Sequence, residues 1–269
     1  MMSTIDSRVV LEEFLSCPIG STDAVFARFE NLPGAIVGRG AGALERYVCI
    51  PGTRKNKVVL VAHADTVWDC AYGKSAENSL CFENGFYKSA NPECGIGADD
   101  RAGCALVWSL RESGHTILVV SGEENGKIGA KFLKKSNPGL FRFLNRHQFM
   151  IELDWKGTGG CLYNQVDYTN RFRKYITNTL GFREDSKGGG CDLEVLCKRI
   201  CGVNIGVGYY AWHHPKECLS LAEWEHTHTC LKAFLDKAHP RFPISVWKRA
   251  RRFLARVKGK VFRILKISK

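Results

Sequence analysis

Residues 58–67 constrain the fold of this chain most. They read Val-Val-Leu-Val-Ala-His63-Ala-Asp65-Thr-Val67, a β-branched apolar run that closes on a histidine with a carboxylate two residues on. Such a run is the pattern of a buried strand. The pattern returns three times. Thr116–Val120 leads into Ser-Gly-Glu123-Glu124-Asn-Gly126, residues 149–154 end on Asp154, and residues 203–210 lead to Trp212-His213-His214. Between the first two runs lies Gly95-Ile-Gly-Ala-Asp99-Asp100-Arg-Ala-Gly103, which opens onto a helical pattern over 104–110. Buried strands alternating with helical segments predict an α/β domain with a largely parallel central sheet between helices. Open α/β sheets collect their chemistry just past the carboxyl ends of the strands, where these acids and histidines fall.

The remaining elements follow from local signals. Residues 6–16 space their apolar side chains like an amphipathic helix, with Asp6 as its N-cap. Ser21, Thr22 or Asp23 can cap a second helix through Phe29, and Pro33-Gly34 ends it. Residues 35–38 and 44–50 read as short strands, and Pro51-Gly52 turns the chain into the organising strand. Leu80–Glu83 and residues 86–88, joined at Asn84-Gly85, predict a hairpin. Residues 168–180 and about 219–237 read as helices.

The chemical candidates are His63, Asp65, Asp99, Glu123, Glu124, Asp154 and His213. A neutral imidazole is a good zinc ligand, and a nearby carboxylate fixes its tautomer. Adjacent carboxylates such as Asp99-Asp100 are costly to hold together without a compensating cation or helix N-terminus, and Asp100 can equally be a plain N-cap. Paired glutamates can divide the work, one binding metal and the other taking a proton. Two histidines with several carboxylates suit a pair of zinc-like ions and metal-assisted hydrolysis.

The ordered set His-Ala-Asp-Thr-Val, Gly-Ala-Asp-Asp-Arg-Ala-Gly, Gly-Glu-Glu-Asn-Gly, Glu-Leu-Asp and His-x-x-x-Glu, spread over residues 58–221, resembles the di-zinc exopeptidases. These include bacterial aminopeptidases, tripeptidase T, carboxypeptidase G-like enzymes and related amide deacylases. The resemblance implies a three-layer, phosphorylase/hydrolase-like zinc-peptidase fold with two Zn2+ ions, for which Co2+ or Mn2+ can substitute. It implies that His63, Asp99 and Asp154 hold one ion, and that Asp99 bridges to a second held by Glu124 and His213. Glu123 would be the general base acting on the water between the ions, and Asp65 would orient His63. His213 is preferred to His214 because the family glutamate falls four residues on, at Glu217. The peptide after the bridging aspartate, here Asp99-Asp100, is often cis in such enzymes. Only 58 residues separate Asp154 from His213, too few for the lid domain of the carboxypeptidase-like members. The chain therefore resembles the compact aminopeptidase branch. Tyr209 or Tyr210 can supply an oxyanion donor in place of a lid or simply pack at a strand end. Asp192, after three glycines, is a substrate-amine or supporting carboxylate, or part of a plain turn.

The expected activity is thus hydrolysis of a terminal amide bond of small peptides, by an aminopeptidase in preference to a carboxypeptidase or N-acyl amino acid deacylase. The rival readings are a non-catalytic, metal-bound scaffold and a nucleic-acid-binding protein on a hydrolase fold. Both rest on the tail. The formal net charge of the chain is +12, yet residues 241–269 hold eleven Lys or Arg and no acid, which leaves +1 on residues 1–240. We expect residues 1–240 to form the catalytic domain and 241–269 a basic amphipathic helix, which can meet an anionic membrane surface, nucleic acid or the body of the protein. The twelve cysteines are scattered and lack a Cys-x-x-Cys, which suits reduced thiols in a cytoplasmic protein, peripheral to a membrane if the tail binds one. The start of the chain lacks the pattern of a signal peptide, and no run of about 18 apolar residues occurs. Oligomeric state is not written in the sequence.

Overall fold

The structure is a computed structural model and describes residues 6–70, 79–163, 166–185 and 188–245. The helices are α1 (Ser7–Leu15), α2 (Asp23–Glu30), α3 (Ala98–Ser109), α4 (Ile128–Ser136), α5 (Pro138–Leu144), α6 (Asn170–Leu180), α7 (Leu193–Leu196) and α8 (Leu221–Leu235). Eight strands form the main sheet: β1 (Ile36–Arg39), β2 (Arg46–Ile50), β3 (Val59–His63), β6 (Thr116–Val120), β7 (Met150–Trp155), β8 (Gly160–Leu162), β9 (Arg183–Glu184) and β10 (Gly202–Gly206). Four more form a small antiparallel sheet in the order β11-β12-β5-β4: β4 (Leu80–Glu83), β5 (Phe86–Ser89), β11 (Tyr209–Tyr210) and β12 (Cys218–Ser220).

The main sheet runs β1-β2-β6-β3-β7-β10-β8-β9. Its centre, β6-β3-β7-β10, is parallel throughout, whereas β1, β2 and β8 join antiparallel. Every residue of β3, β6, β7 and β10 is buried, as parallel strands covered on both faces must be. Alternate side chains divide between two cores. Leu60, Ala62, Ile117, Val119, Ile151 and Leu153 join α1, α2, α3, α6 and α8 on one face. Val59, Val61, Leu118, Val120 and Met150 join α4, α5 and α7 on the other. The result is the expected three-layer α/β architecture.

Local chemistry explains most element boundaries. Asp6 caps α1 by accepting the Arg8 N–H, and the Asn84-Gly85 hairpin turn carries positive φ at both residues, as a type I′ turn needs. Several expectations need correction. Residues 203–210 are not one strand: a Cβ on Gly206 would meet the Gly157 carbonyl oxygen at 2.4 Å, Gly208 turns with φ +96°, and Tyr209–Tyr210 joins the small sheet. The last helix begins at 221 instead of 219, because Cys218–Ser220 pairs with β5 and Ser220 caps the helix. The boundary of the body also moves. Phe242 and Ile244 are buried, and Phe242 exchanges backbone hydrogen bonds with Gln148 and Cys201, so residues 241–245 belong to the body and not to a tail. The rest of the tail, 246–269, lies outside the described residues. No helix among the described residues is long and apolar enough to cross a membrane, and all eleven cysteines whose state is described are free.

Candidate metal centre

The site forms where the parallel strands end. His63 closes β3 and is 1% exposed. Its Nδ1 lies 2.9 Å from the Asp65 carbonyl oxygen and 3.5 Å from Asp65 Oδ1, so the turn after β3 fixes the ring. Its Nε2 faces Asp99 Oδ1 at 3.2 Å and Asp154 Oδ1 at 3.4 Å. Asp154 sits near the end of β7, and Asn204 on the neighbouring β10 braces it in both directions. Asp154 N–H donates to Asn204 Oδ1 at 3.0 Å, and Asn204 Nδ2 donates to the Asp154 carbonyl at 2.7 Å. The Tyr209 hydroxyl donates to Asp154 Oδ1 at 3.1 Å.

Asp99 leads into α3, where Gly97 adopts φ +67° and the Asp99-Asp100 peptide is cis, as the resemblance implied. The two aspartates do different work. Asp100 is fully buried and accepts from the His63 backbone N–H at 3.1 Å and from Gly103 N–H at 2.9 Å, so within the non-helical first turn of α3 it caps the regular helix that follows and ties it to β3. Asp99 turns its Oδ2 towards His213 Nε2 at 3.3 Å, while Glu124 Oε1 meets the same nitrogen at 2.9 Å. His213 occupies a left-handed backbone conformation, φ 60°, in the loop between β11 and β12, a strained geometry of the kind that gathers at functional sites. His214 is exposed, and its Nδ1 accepts from Lys216 N–H.

Two groups of three side chains are therefore close enough to hold an ion: His63, Asp99 and Asp154, and Asp99, Glu124 and His213. Within each group one ligand atom per residue lies within 4.8 Å of the others, and Asp99 belongs to both. The donor set fits divalent cations of the zinc class: oxygen and imidazole ligands, no thiolate, and an excess of carboxylates over local positive charge. Burial, and then the neighbouring Asp99, pushes the Asp154 carboxyl well above its ordinary range. Burial, reinforced by Asp154, carries Glu123 up to about 8. Such carboxyls gain most from a cation among them.

Glu123 is the acid on this loop that joins neither ligand group. It lines the same pocket as Asp99, Glu124, Asp154, Tyr209 and His213, a cavity of about 80 Å3, and lies 3.7 Å from Lys127 Nζ. Asp65 does more than orient His63: its carboxylate accepts from the backbone N–H groups of Glu123 and Glu124, at 3.3 and 3.2 Å, and so sets the glutamate loop against β3. Glu217, 1% exposed, accepts from Asp99 N–H, Gly97 N–H and the Trp68 indole, and fixes the entry to α3.

Two of the named residues are not brought to the pocket. Tyr210 is exposed and gives its hydroxyl to Glu223. Asp192 is fully buried at the start of α7, donates its backbone N–H to Glu152, and does not line the cavity. Sequence reasoning missed Asn204, although a polar residue inside an otherwise apolar strand is a visible signal. It also missed the pocket walls Trp155, Leu162 and Trp212, for which only the fold carries a signal.

No protein-family model and no curated protein matches the sequence. Solved structures do match in shape. The aminopeptidase PepT of Bacillus cereus aligns with TM-score 0.62 at 15% identity, over 87% of this chain and 99% of its own. A tripeptidase of Staphylococcus aureus gives TM-score 0.62 at 14% identity, over 87% and 99%. An aminopeptidase of the archaeon Desulfurococcus kamchatkensis gives 0.57 at 13%, over 87% and 96%. The chain has the fold that these exopeptidases share.

Proposed function

We propose that this protein is a metal-dependent aminopeptidase whose site holds two divalent ions, zinc by preference. The observation that carries the reading is the pair of three-ligand groups joined at Asp99, with Glu123 left over on the same pocket. His63, Asp99 and Asp154 would hold one ion, and Asp99, Glu124 and His213 the other. Ions held there would supply Lewis acidity towards the scissile carbonyl and towards water.

The protein's own groups do the rest. Glu123, partly enclosed on the pocket and outside both ligand groups, takes a proton from the attacking water and returns it to the departing amine. Lys127 limits where the Glu123 carboxylate can swing. Asp65 keeps His63 and the two glutamates in register, and Asn204 with Tyr209 keeps Asp154 aimed. The Tyr209 hydroxyl is committed to Asp154, which favours a supporting role over oxyanion binding. Trp155, Leu162 and Trp212 form an apolar wall for a substrate side chain, and the surrounding carboxylates suit a free ammonium better than a free carboxylate. That preference, and neighbours named as an aminopeptidase and a tripeptidase, support our preference for aminopeptidase over carboxypeptidase or deacylase activity. Free cysteines suit a reducing, cytoplasmic setting.

The test is hydrolysis of short peptides, free or blocked at either end, by the zinc-loaded protein. Cleavage that requires a free amino end, and that falls at least a hundredfold in Glu123→Gln with the fold intact, is expected. Full activity in Glu123→Gln, or cleavage only with a free carboxyl end, would overturn the assignment.

A further inference from the structure

Beside the catalytic pocket runs a second, larger depression of about 640 Å3. It lies between α4 and the α7 region, and five lysines line it, Lys127, Lys131, Lys134, Lys135 and Lys198, against one acid, Glu194. That is a local charge of +4 in a body, residues 1–240, whose net charge is only +1. The volume falls in the range of ligand-binding clefts and exceeds what a single ion needs.

The helix does not require this charge. Lys134 and Lys135 in the last turn complement the negative end of the α4 dipole, but Lys127 caps the opposite end, where a cation is unfavourable, and the first turn holds no acid. Lys131, one turn on, together with Lys134 and Lys135 extends the stripe along one face, and all three are exposed. The groove borders the catalytic pocket, with Lys127 between them. Lys127 Nζ lies 3.7 Å from both Glu123 and Glu194 Oε1, and a Cβ added to Gly190, which lines the pocket, would meet Lys127 Nζ at 2.8 Å. An acid-walled pocket that suits an ammonium thus lies next to a lysine-walled groove that suits carboxylates.

We propose that this groove is the subsite for the part of the peptide beyond the cleaved bond, and that it selects peptides with acidic residues there. The inference rests on the aminopeptidase reading for its kinetic consequence, but the groove can be tested without turnover. Two peptides with the same first two residues, followed by Glu-Glu or Gln-Gln, are compared on the zinc-loaded protein at low and physiological salt. The acidic peptide should show a KM about five- to tenfold lower at equal kcat, the scale of two or three exposed ion pairs, and salt should erode the difference. Lys131→Gln/Lys134→Gln/Lys135→Gln, which replaces no residue of the catalytic site, should abolish the preference, bringing the two peptides to the same KM within the variant. In parallel, anisotropy of a fluorescent, amino-blocked Glu-rich peptide reports binding whether or not any peptide is cleaved. Binding by the parent protein that the triple variant loses supports the groove even if hydrolysis fails altogether. Equal KM values for the two peptides, a preference that survives in the triple variant, or binding of an oligonucleotide but not of the acidic peptide would overturn it.

Discussion

Replacing Glu217 by alanine should damage the site without replacing a metal ligand. The Glu217 carboxylate accepts three hydrogen bonds at 2.8, 3.0 and 3.1 Å, from Gly97 N–H, Asp99 N–H and the Trp68 indole. Glu217 is 1% exposed, so its loss takes the carboxylate away from these donors in a space closed to bulk solvent. A buried donor left unsatisfied costs ~1–3 kcal/mol, so three of them amount to about 3–9 kcal/mol. Glu217→Gln should cost less, about 1–3 kcal/mol, because its one remaining oxygen can serve Gly97 and Trp68 while its amide nitrogen confronts Asp99 N–H. Since Asp99 belongs to both ligand groups, movement of its backbone should weaken both ions together. Urea unfolding of the metal-free proteins gives the stability cost, and chelator competition for zinc gives the affinity. An alanine variant within about 1 kcal/mol of the parent, or one that keeps full zinc affinity, would refute the assigned role of Glu217.

Acid should destabilise the fold through His147. Burial pushes this imidazole down to about 4. The ring is held by Phe143 O on Nδ1 and Thr116 Oγ1 on Nε2, with Lys57 and His115 nearby. The unfolded chain takes up the proton near pH 6.5, so stability is complete above that pH and falls as pH drops towards 4, by about 2 kcal/mol between pH 7.5 and 5. Urea midpoints at the two pH values measure the loss, which His147→Gln should shrink; an unchanged pH difference in that variant would rule His147 out as the source. Phe149→Ala should cost ~3–5 kcal/mol in the same assay, because Phe149 is fully buried against Phe172, Tyr175, Phe234 and Phe242.

The strands that carry the chemistry were legible because burial on both faces makes them nearly continuous apolar runs, Glu152 being the one charged interruption before the ligand in β7: β3, β6 and β7 begin and end within a residue or so of those runs. His63 and Asp154 close β3 and β7 and Glu124 follows β6, whereas Asp99 opens α3 and His213 lies on the loop after β11, so the strand pattern located three of the five ligands and the motif spacing the other two. What failed to show depended on contacts distant in sequence. The β10–β11 break is set by the approach of Gly206 to the Gly157 backbone, 49 residues earlier. Tyr209 and Tyr210 are adjacent in sequence, but strand alternation sends one to Asp154 and the other to Glu223. Asp192 resembled a loop carboxylate after three glycines, yet it begins α7 beneath the surface. Asp65 and Glu217 were recognised as members of the motifs. Their main contacts, however, are with backbone N–H groups, which no side-chain pattern reveals.

The central claim is a two-ion site joined at Asp99, with Glu123 outside the ligand set. Zinc stoichiometry by equilibrium dialysis, on the parent protein and on Glu123→Gln side by side, tests it most directly. Two ions per chain in both proteins is the predicted result. Fewer than two in the parent, or the loss of one ion in Glu123→Gln, would contradict it.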